Sequence, residues 1–465
     1  MASTIVVGEA LHREISKLLF QSPARISILG FVLLIATGAT LLMLPSATNN
    51  DSLGFVNALF TSTSAACVTG LVVVDTGPAL STFGQLVVLA LIQVGGLGIM
   101  TLSTSLLLAA GRRPSLSGQL VIKDTFTQSG DRSFRSILRD VALFTCVFEG
   151  IGTLLMFLRF LPGKDMIQAL YLALFHSVSA FCNAGFSLFS ESFVPYQADL
   201  VLNLVLSFLI ISGGIGFLVL SELKRQFPVN RRTWSRLSLH SKMVLAVTFT
   251  LLISSSLLIL VMEWHNTLTP LSVPGRFLAG FFQAVTARTA GFNTLSTGDL
   301  ANETLFLLIL LMFIGASPGS CGGGIKTTTL GSLIALGFSR LRGYDRPQVF
   351  YRTIPQESVG RAISIVIVSM AVVTVGTMVL LATELGDIAH PQSRGRFLEL
   401  LFEVVSAFGT VGLSTGVTPG LSTAGKLVIT MIMFLGRLGP LVIAVAVSRG
   451  SSRRYQYAEE GIMVG

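Results

Sequence analysis

Charge is the scarcest commodity in this sequence. Only 12% of its 465 residues are Asp, Glu, Lys or Arg, against 51% hydrophobic, and the mean hydropathy is +0.76. A soluble domain carries about 25% charged residues, so this chain lacks the polar coating of a water-facing surface and reads as an integral membrane protein. No polar stretch is long enough to house a separate soluble domain. Cysteine is rare too: Cys67, Cys146, Cys182 and Cys321 sit in apolar or small-residue runs, with no CxxC or zinc spacing and no disulfide framework. The five histidines form no HExxH or paired-ligand pattern, and no Ser/His or paired-Asp arrangement supports catalysis. These absences argue against an enzyme and against an organic cofactor.

What is present is apolar sequence in long runs. A span needs about 20 such residues, and runs of that kind lie near 26–44, 79–108, 137–160, 199–221, 241–262, 303–338, 360–383 and 423–447. Between the members of each successive pair lies a shorter helical segment, near 55–66, 168–181, 275–288 and 396–408. These are too short to cross and fit re-entrant helices. Residues 1–25 read as a cytoplasmic surface helix. A signal peptide over 26–44 is disfavoured, because its removal would break the repeat described next. With the N-terminus inside, cytoplasmic segments hold 23 of the 32 basic residues, the outer side only Lys164, Arg276, Arg394, Arg396 and Lys426, and the membrane Arg159, Arg288, Lys326 and Arg437. That asymmetry sets the orientation. It also accounts for the net charge of +9, so nucleic acid is not a partner. Acidic residues outnumber basic ones on the outer side, where they would concentrate cations.

Each short helix runs into one signature: Phe60–Leu71, Phe175–Phe186, Phe282–Phe292 and Phe402–Leu413. A Ser/Thr-Ala pair precedes a shared glycine at Gly70, Gly185, Gly291 and Gly412. A second glycine-rich landmark follows from Gly95, Gly213, Gly315 and Gly436. Small-residue packing of membrane helices accounts for the second landmark alone, but not for four helix–glycine units. Irregular backbone at membrane depth survives only inside protein or along a watery cavity. Four turns around an axis would close a ring of carbonyl oxygens able to replace a cation's hydration shell, with the partly negative helix ends behind them. Glycine supplies the turn without a side chain in the lumen. The expectation is a monovalent cation pathway. Each segment offers fewer successive carbonyls than a TVGYG filter, so its selectivity is expected to be less strict.

The unit of outer helix, pore helix and inner helix, repeated four times, resembles the Trk/Ktr/HKT superfamily of potassium transporters. The residues that carry the likeness are Thr286–Thr294 (TARTAGFNT), Phe402–Ser414 (FEVVSAFGTVGLS) and Gly322–Thr329 (GGGIKTTT), and it extends over essentially the whole chain. Within the superfamily the sequence is most similar to the Ktr-type membrane subunit. The resemblance implies an all-α membrane protein of eight transmembrane helices around a pseudo-fourfold pore. It implies a multi-pass protein of the bacterial plasma (inner) membrane, acting as a homodimer on a cytosolic ring of nucleotide-binding RCK-domain subunits. It further implies potassium selectivity where all four filter positions are glycine. The positions carried over to an ion-binding filter are Val68, Thr69 and Gly70; Asn183, Ala184 and Gly185; Thr289, Ala290 and Gly291; and Thr410, Val411 and Gly412. Domain organisation follows the repeats: 1–136 with the N-terminal helix, 137–240, 241–359 with an intramembrane loop over 315–326, and 360–465 with a short tail.

Two features point to a gate. Residues 315–326 (GASPGSCGGGIK) interrupt the sixth run with Gly, Ser and Pro that cannot hold a regular helix. A phosphate loop is excluded because Ile325 separates Gly324 from Lys326. A broken span beside a conduction path suits gating, and the resemblance favours Gly322, Gly323, Gly324 and Lys326 as a gating loop. In the fourth copy Arg437 replaces the small residue at Gly96, Gly214 and Ala316. An intramembrane arginine costs about 2.5–3.5 kcal/mol on insertion scales, so it is read as an electrostatic barrier held by loop carbonyls, with pairing to Glu149 the bland alternative. Arg288 and Glu403 are read as scaffold behind the filter, with a pair between them one arrangement, and Glu149 as a cap on a neighbouring helix. Potassium is the expected cargo, and assistance by sodium is left open. A sodium- or proton-coupled symporter of a small solute is the alternative, disfavoured because such folds show inverted or twofold repeats.

Overall fold

The computed structural model describes residues 23–49, 52–98, 134–227, 233–386 and 388–439. The surface helix expected over 1–25 lies outside them, apart from three residues that open the first helix, as do residues 99–133 and 440–465. The described chain is mostly helical, and its main helices fall into four groups. The first holds α1 (Pro23–Leu42), α2 (Phe55–Ala66) and α3 (Thr82–Leu97). The second holds α4 (Phe134–Phe160), α5 (Met166–Phe181), α6 (Leu200–Ile215) and α7 (Phe217–Arg225). The third holds α8 (Leu239–Glu263), α9 (Val273–Thr286), α10 (Asn302–Phe313) and α11 (Thr327–Leu341). The fourth holds α12 (Gln356–Leu385), α13 (Arg396–Gly409) and α14 (Thr423–Leu438).

The short helices α2, α5, α9 and α13 stand within two residues of their expected bounds. The inner helices depart from expectation. Uninterrupted helices over 79–108, 199–221 and 423–447 do not form, because α3, α6 and α14 stop at glycines whose φ is positive: Gly98 at 78°, Gly216 at 99° and Gly439 at 80°. With ψ of 141°, 138° and 136°, these residues occupy backbone space that is open only to a residue without Cβ. Beyond Gly216 the helix resumes as α7, bent by 97° from α6. The third inner run is broken as expected, between α10 and α11. Among the described residues, three helices are long and apolar enough to cross a membrane by themselves, within Arg139–Gly163, Leu239–Glu263 and Gln356–Leu385.

Packing closes the groups into a ring. Each inner helix lies against the short helix of the next group: α3 on α5, α6 on α9, α10 on α13, and α14 back on α2. Close approach of backbones also fixes three of the inner helices to the short helix of their own group. A Cβ added to Gly95, Gly213 or Gly436 would strike the carbonyl oxygen of Ala66, Phe181 or Phe408 respectively, at the end of the adjoining short helix. The second landmark is therefore small-residue packing, with a defined partner. Outer helices are tied in by buried hydroxyls: Ser62 Oγ donates to the Ile35 carbonyl and Ser177 Oγ to that of Glu149, both at 2.8 Å. The inner helices α3, α6 and α14 begin at polar N-caps, Ser81, Asp199 and Ser422, which accept from the N–H of Gly84, Leu202 and Gly425. In α10 the cap comes from outside, where Glu263 Oε1 accepts from Ala301 N at 2.9 Å.

Candidate functional site

The four signatures meet at the centre of the ring as four turns with one backbone pattern. The first residue of each turn is left-handed, with φ of 57° at Val68, 61° at Asn183, 68° at Thr289 and 50° at Thr410. The glycine two residues later is left-handed as well, at Gly70, Gly185, Gly291 and Gly412. Three of the four first residues are β-branched, for which this conformation costs on the order of 1–3 kcal/mol each, so the surroundings must over-determine it. They do so through the short helix behind each turn. Thr69 N donates to Ser64 O at 2.8 Å, Ala184 N to Ser179 O at 2.7 Å, Ala290 N to Thr286 O at 3.0 Å and Val411 N to Ser406 O at 2.9 Å. The hydroxyls of the same residues hold the next bonds: Ser64 and Ser406 Oγ accept from Gly70 N and Gly412 N, while Ser179 Oγ and Thr286 Oγ1 donate to the carbonyls of Phe186 and Phe292. The Ser/Thr of each Ser/Thr-Ala pair is thus the anchor of its turn. That role went unread in the sequence, although the pair's fourfold recurrence was its signal.

With the middle N–H of each turn held by the short helix behind it, the turns leave carbonyls free. Among the described residues no hydrogen bond ends on the carbonyl oxygens of Thr69, Gly70, Ala184, Gly185, Ala290, Gly291, Val411 or Gly412. The turns also touch in order around a circle. A Cβ on Gly70 would strike Ala184 O, on Gly185 it would approach Gly291 Cα at 2.9 Å, on Gly291 it would strike Val411 O, and on Gly412 it would strike Thr69 O. A larger residue at any of the four would push into its neighbour. Behind each turn stands the C-terminal, partly negative end of a short helix. Free carbonyls plus four such ends favour a dehydrated cation on the axis.

The loop between α10 and α11 seats directly against these turns. Gly323 N donates to Thr410 Oγ1 at 3.0 Å, and a Cβ on Gly322 would strike Thr289 Oγ1. The loop is anchored to the second group by Ser317 N and Cys321 N, which donate to the carbonyls of Gly214 and Gly213 at 3.0 and 3.1 Å, and by Phe217 N, which donates to Gly319 O at 2.9 Å. Lys326 folds back, its Nζ donating to Gly322 O at 2.7 Å. Arg437 completes the arrangement from the fourth group. Its Nη1 donates to Cys321 O in the loop and its Nη2 to Gly95 O at the end of α3. One guanidinium therefore joins the first, third and fourth groups. No carboxylate lies within ion-pair distance of it among the described residues.

One alternative falls away and two expectations need correction. Arg437 does not pair with Glu149; the Glu149 carboxylate accepts from Gln93 Nε2 at 3.3 Å and lies 3.9 Å from Cys182 Sγ, so it caps no helix either. Arg288 and Glu403 do not form a pair. Glu403 is fully buried, accepting from Ser414 Oγ and Thr418 Oγ1 at 2.6 Å each and from Thr415 N at 3.1 Å, and so braces the strand beyond Gly412. Arg288 reaches Thr248 Oγ1 at 3.4 Å. Glu403 sits on α13 and Arg288 two residues past the end of α9, and each bonds within its own group, so opposite charge in sequence did not become contact in space.

The TrkH family, described as a cation transport protein, matches residues 4–455. The Ktr system potassium uptake protein B of Bacillus subtilis is 38% identical over 96% of this chain and 97% of its own. That of Vibrio alginolyticus is 37% identical over 95% and 94%. The potassium/sodium uptake protein NtpJ of Enterococcus hirae is 36% identical over 96% and 97%. The crystal structure of the potassium transporter TrkH from Vibrio parahaemolyticus shares the fold, with a TM-score of 0.71 and 20% identity over 91% of this chain and 84% of that one. These relatives are transporters rather than enzymes, and the chain belongs to the TrkH family of cation transport proteins.

Proposed function

We propose that this chain takes up potassium across the bacterial plasma membrane through a channel-like pore. Its filter is the four turns at Val68–Gly70, Asn183–Gly185, Thr289–Gly291 and Thr410–Gly412. The observation that carries the reading is the ring itself: four left-handed turns, each held at its middle N–H by a short helix, with carbonyls that accept no hydrogen bond among the described residues. The relatives named for potassium uptake support potassium as the cargo, and the one named for potassium and sodium favours a part for sodium. The loop over 315–326 with Arg437 is the gate, since it closes against Thr289 and Thr410 and carries a positive charge under the ring. Eight membrane crossings with the N-terminus inside, a homodimer, and a cytosolic nucleotide-binding RCK ring that pulls on the loop complete the proposal.

Rubidium or potassium uptake in a potassium-auxotrophic host, with and without sodium, tests it. Wild type should restore growth at low potassium. Gly291→Ser, which presses a side chain toward Val411 O, should lower the preference for potassium over sodium. A wild type that carries no potassium, or a Gly291→Ser variant with intact selectivity, removes the filter assignment.

A further inference from the structure

Three residues before each anchor hydroxyl, on the same face of its short helix, stands one further polar residue: Thr61, His176, Gln283 and Glu403. All four are buried, but what they hold differs. Glu403 Oε1 accepts from Thr415 N, three residues beyond Gly412, at 3.1 Å. His176 does the same in the second copy, where its Nε2 accepts from Leu188 N, three residues beyond Gly185, at 3.2 Å. The other ring nitrogen settles the tautomer. Nδ1 lies 2.8 Å from the carbonyl oxygen of Leu172, which can only accept, so Nδ1 carries the proton and Nε2 of the neutral ring is an acceptor. Ser187 Oγ stands 3.1 Å from the same Nε2. The ring stacks on Phe189 at 4.8 Å between centroids and meets Phe175 and Phe193 edge to face. In the first and third copies, Thr61 Oγ1 and both amide atoms of Gln283 have no partner among the described residues. No hydrogen bond leaves Val73 N or Thr294 N there, three residues beyond Gly70 and Gly291. The third copy is also one residue shorter between Gln283 and its glycine, which shifts its strand off the register that His176 and Glu403 share.

We propose that His176 is a positioning residue for ion preference: by holding Leu188 N it fixes the strand that leaves the second turn, so that the filter is stiff across the second and fourth turns and compliant across the first and third. Ala184 N, Phe186 O and Leu188 N alternate along this strand, and α5 engages all three through Ser179 O, Ser179 Oγ and His176. The free carbonyls of Ala184 and Gly185 therefore lie between fixed points. Carbonyls held in this way resist closing on a smaller ion, whereas those of a loose strand can follow it inward. The stiff pair stands on opposite sides of the ring, since contact runs from the first turn to the second, third, fourth and back to the first. The inference rests on the proposed filter.

The test combines rubidium and sodium uptake in the potassium-auxotrophic host with amide hydrogen exchange of the purified full chain in detergent. His176→Phe keeps an aromatic ring for Phe189 to stack on but offers no acceptor; its preference for rubidium over sodium should fall several-fold. His176→Gln, whose amide oxygen can accept from Leu188 N, should keep the wild-type preference. A loss of packing alone would lower the yield of folded protein in both variants and leave preference untouched. In wild type the Leu188 and Thr415 amides should exchange more slowly than those of Val73 and Thr294, a readout that remains decisive if His176→Phe fails to fold. Wild-type preference in His176→Phe, an equal loss in His176→Gln, or equal exchange at the four amides would each overturn the proposal. Gly291→Ser separates the two failures: if it alters preference while His176→Phe does not, the brace is wrong and the filter stands; if neither does, both fall.

Discussion

The third inner segment and the other three solve the same problem differently. In α3, α6 and α14 the landmark glycine lies against the end of a short helix, and the chain leaves the helix three residues later at a left-handed glycine. In the third group Gly315 lies against Gly323 of its own loop, and the helix has already ended at Phe313. Three copies spend the glycine on fixing helices to one another; the third spends it on folding a loop back under the ring. Under the proposed gating, this departure from repeat symmetry marks the part that moves while the rest stays fixed.

Arg437 is the sharpest way to probe this difference, because it pins the divergent loop to one of the regular helices. Both of its contacts are charge-assisted bonds to carbonyls, worth about 1.5–3 kcal/mol each. Arg437→Ala should therefore raise rubidium flux at least about ten-fold with normal expression, and Arg437→Lys, which can reach one carbonyl, should fall between. Unchanged flux in Arg437→Ala would show that the guanidinium is structural only.

Next in size is the glycine pair itself. Gly213→Ala drives a Cβ into Phe181 O, part of a packed helix end, and such overpacking costs about 1–3 kcal/mol. It should lower the unfolding midpoint and the yield of monodisperse protein. Gly315→Ala meets the backbone of the loop, which has somewhere to go; it should fold normally and pass more rubidium. Equal losses of folded protein in both variants would erase the distinction between fixed and movable copies.

The sequence made the turns legible because glycine, the Ser/Thr-Ala pair and a short apolar helix recur at one spacing, and each is needed for the same local reason. The breaks at Gly98, Gly216 and Gly439 were hidden, since hydropathy is blind to φ and glycine in apolar runs ordinarily signals packing. Their constant offset from the landmark glycines was the one available clue. A loop carbonyl was expected to hold Arg437, and Cys321 O does so; its second partner was beyond reach, since Gly95 is 342 residues away in sequence and the contact is with a carbonyl, which every residue has. Arg288 and Glu403 misled for the converse reason, because complementary charges suggest a pair that helix orientation does not allow.

Among the turns, the anchor hydroxyls should matter for selectivity more than for stability. Ser406 accepts from Gly412 N at 3.1 Å, a bond worth about 1 kcal/mol. Ser406→Ala should lower the preference of rubidium over sodium several-fold, as the fourth turn loses its hold, with little change in total flux. Ser64→Ala should do the same at the first turn. Thr286→Ala acts differently, since Thr286 Oγ1 holds the carbonyl of Phe292 beyond the glycine, and its effect on selectivity should be weaker. Equal selectivity changes in all three would deny the turns their separate anchors.

The smallest expected effect separates anchor from scaffold. Ser81 caps α3 by accepting from Gly84 N at 3.2 Å while donating to Ser46 O at 2.5 Å, and loss of such a cap costs about 0.5–2 kcal/mol. The serine removed in Ser81→Ala is chemically the one removed in Ser406→Ala, but it lies at the start of an inner helix rather than behind a filter turn. Its loss should lower the unfolding midpoint slightly and leave the rubidium-to-sodium ratio at the wild-type value. The cap belongs to one of the three regular inner helices, whose shared task is to hold the short helices in place. A change in ion preference from Ser81→Ala would mean that the regular helices tune the ring as well as support it, and the line between the third segment and its three counterparts would have to be redrawn.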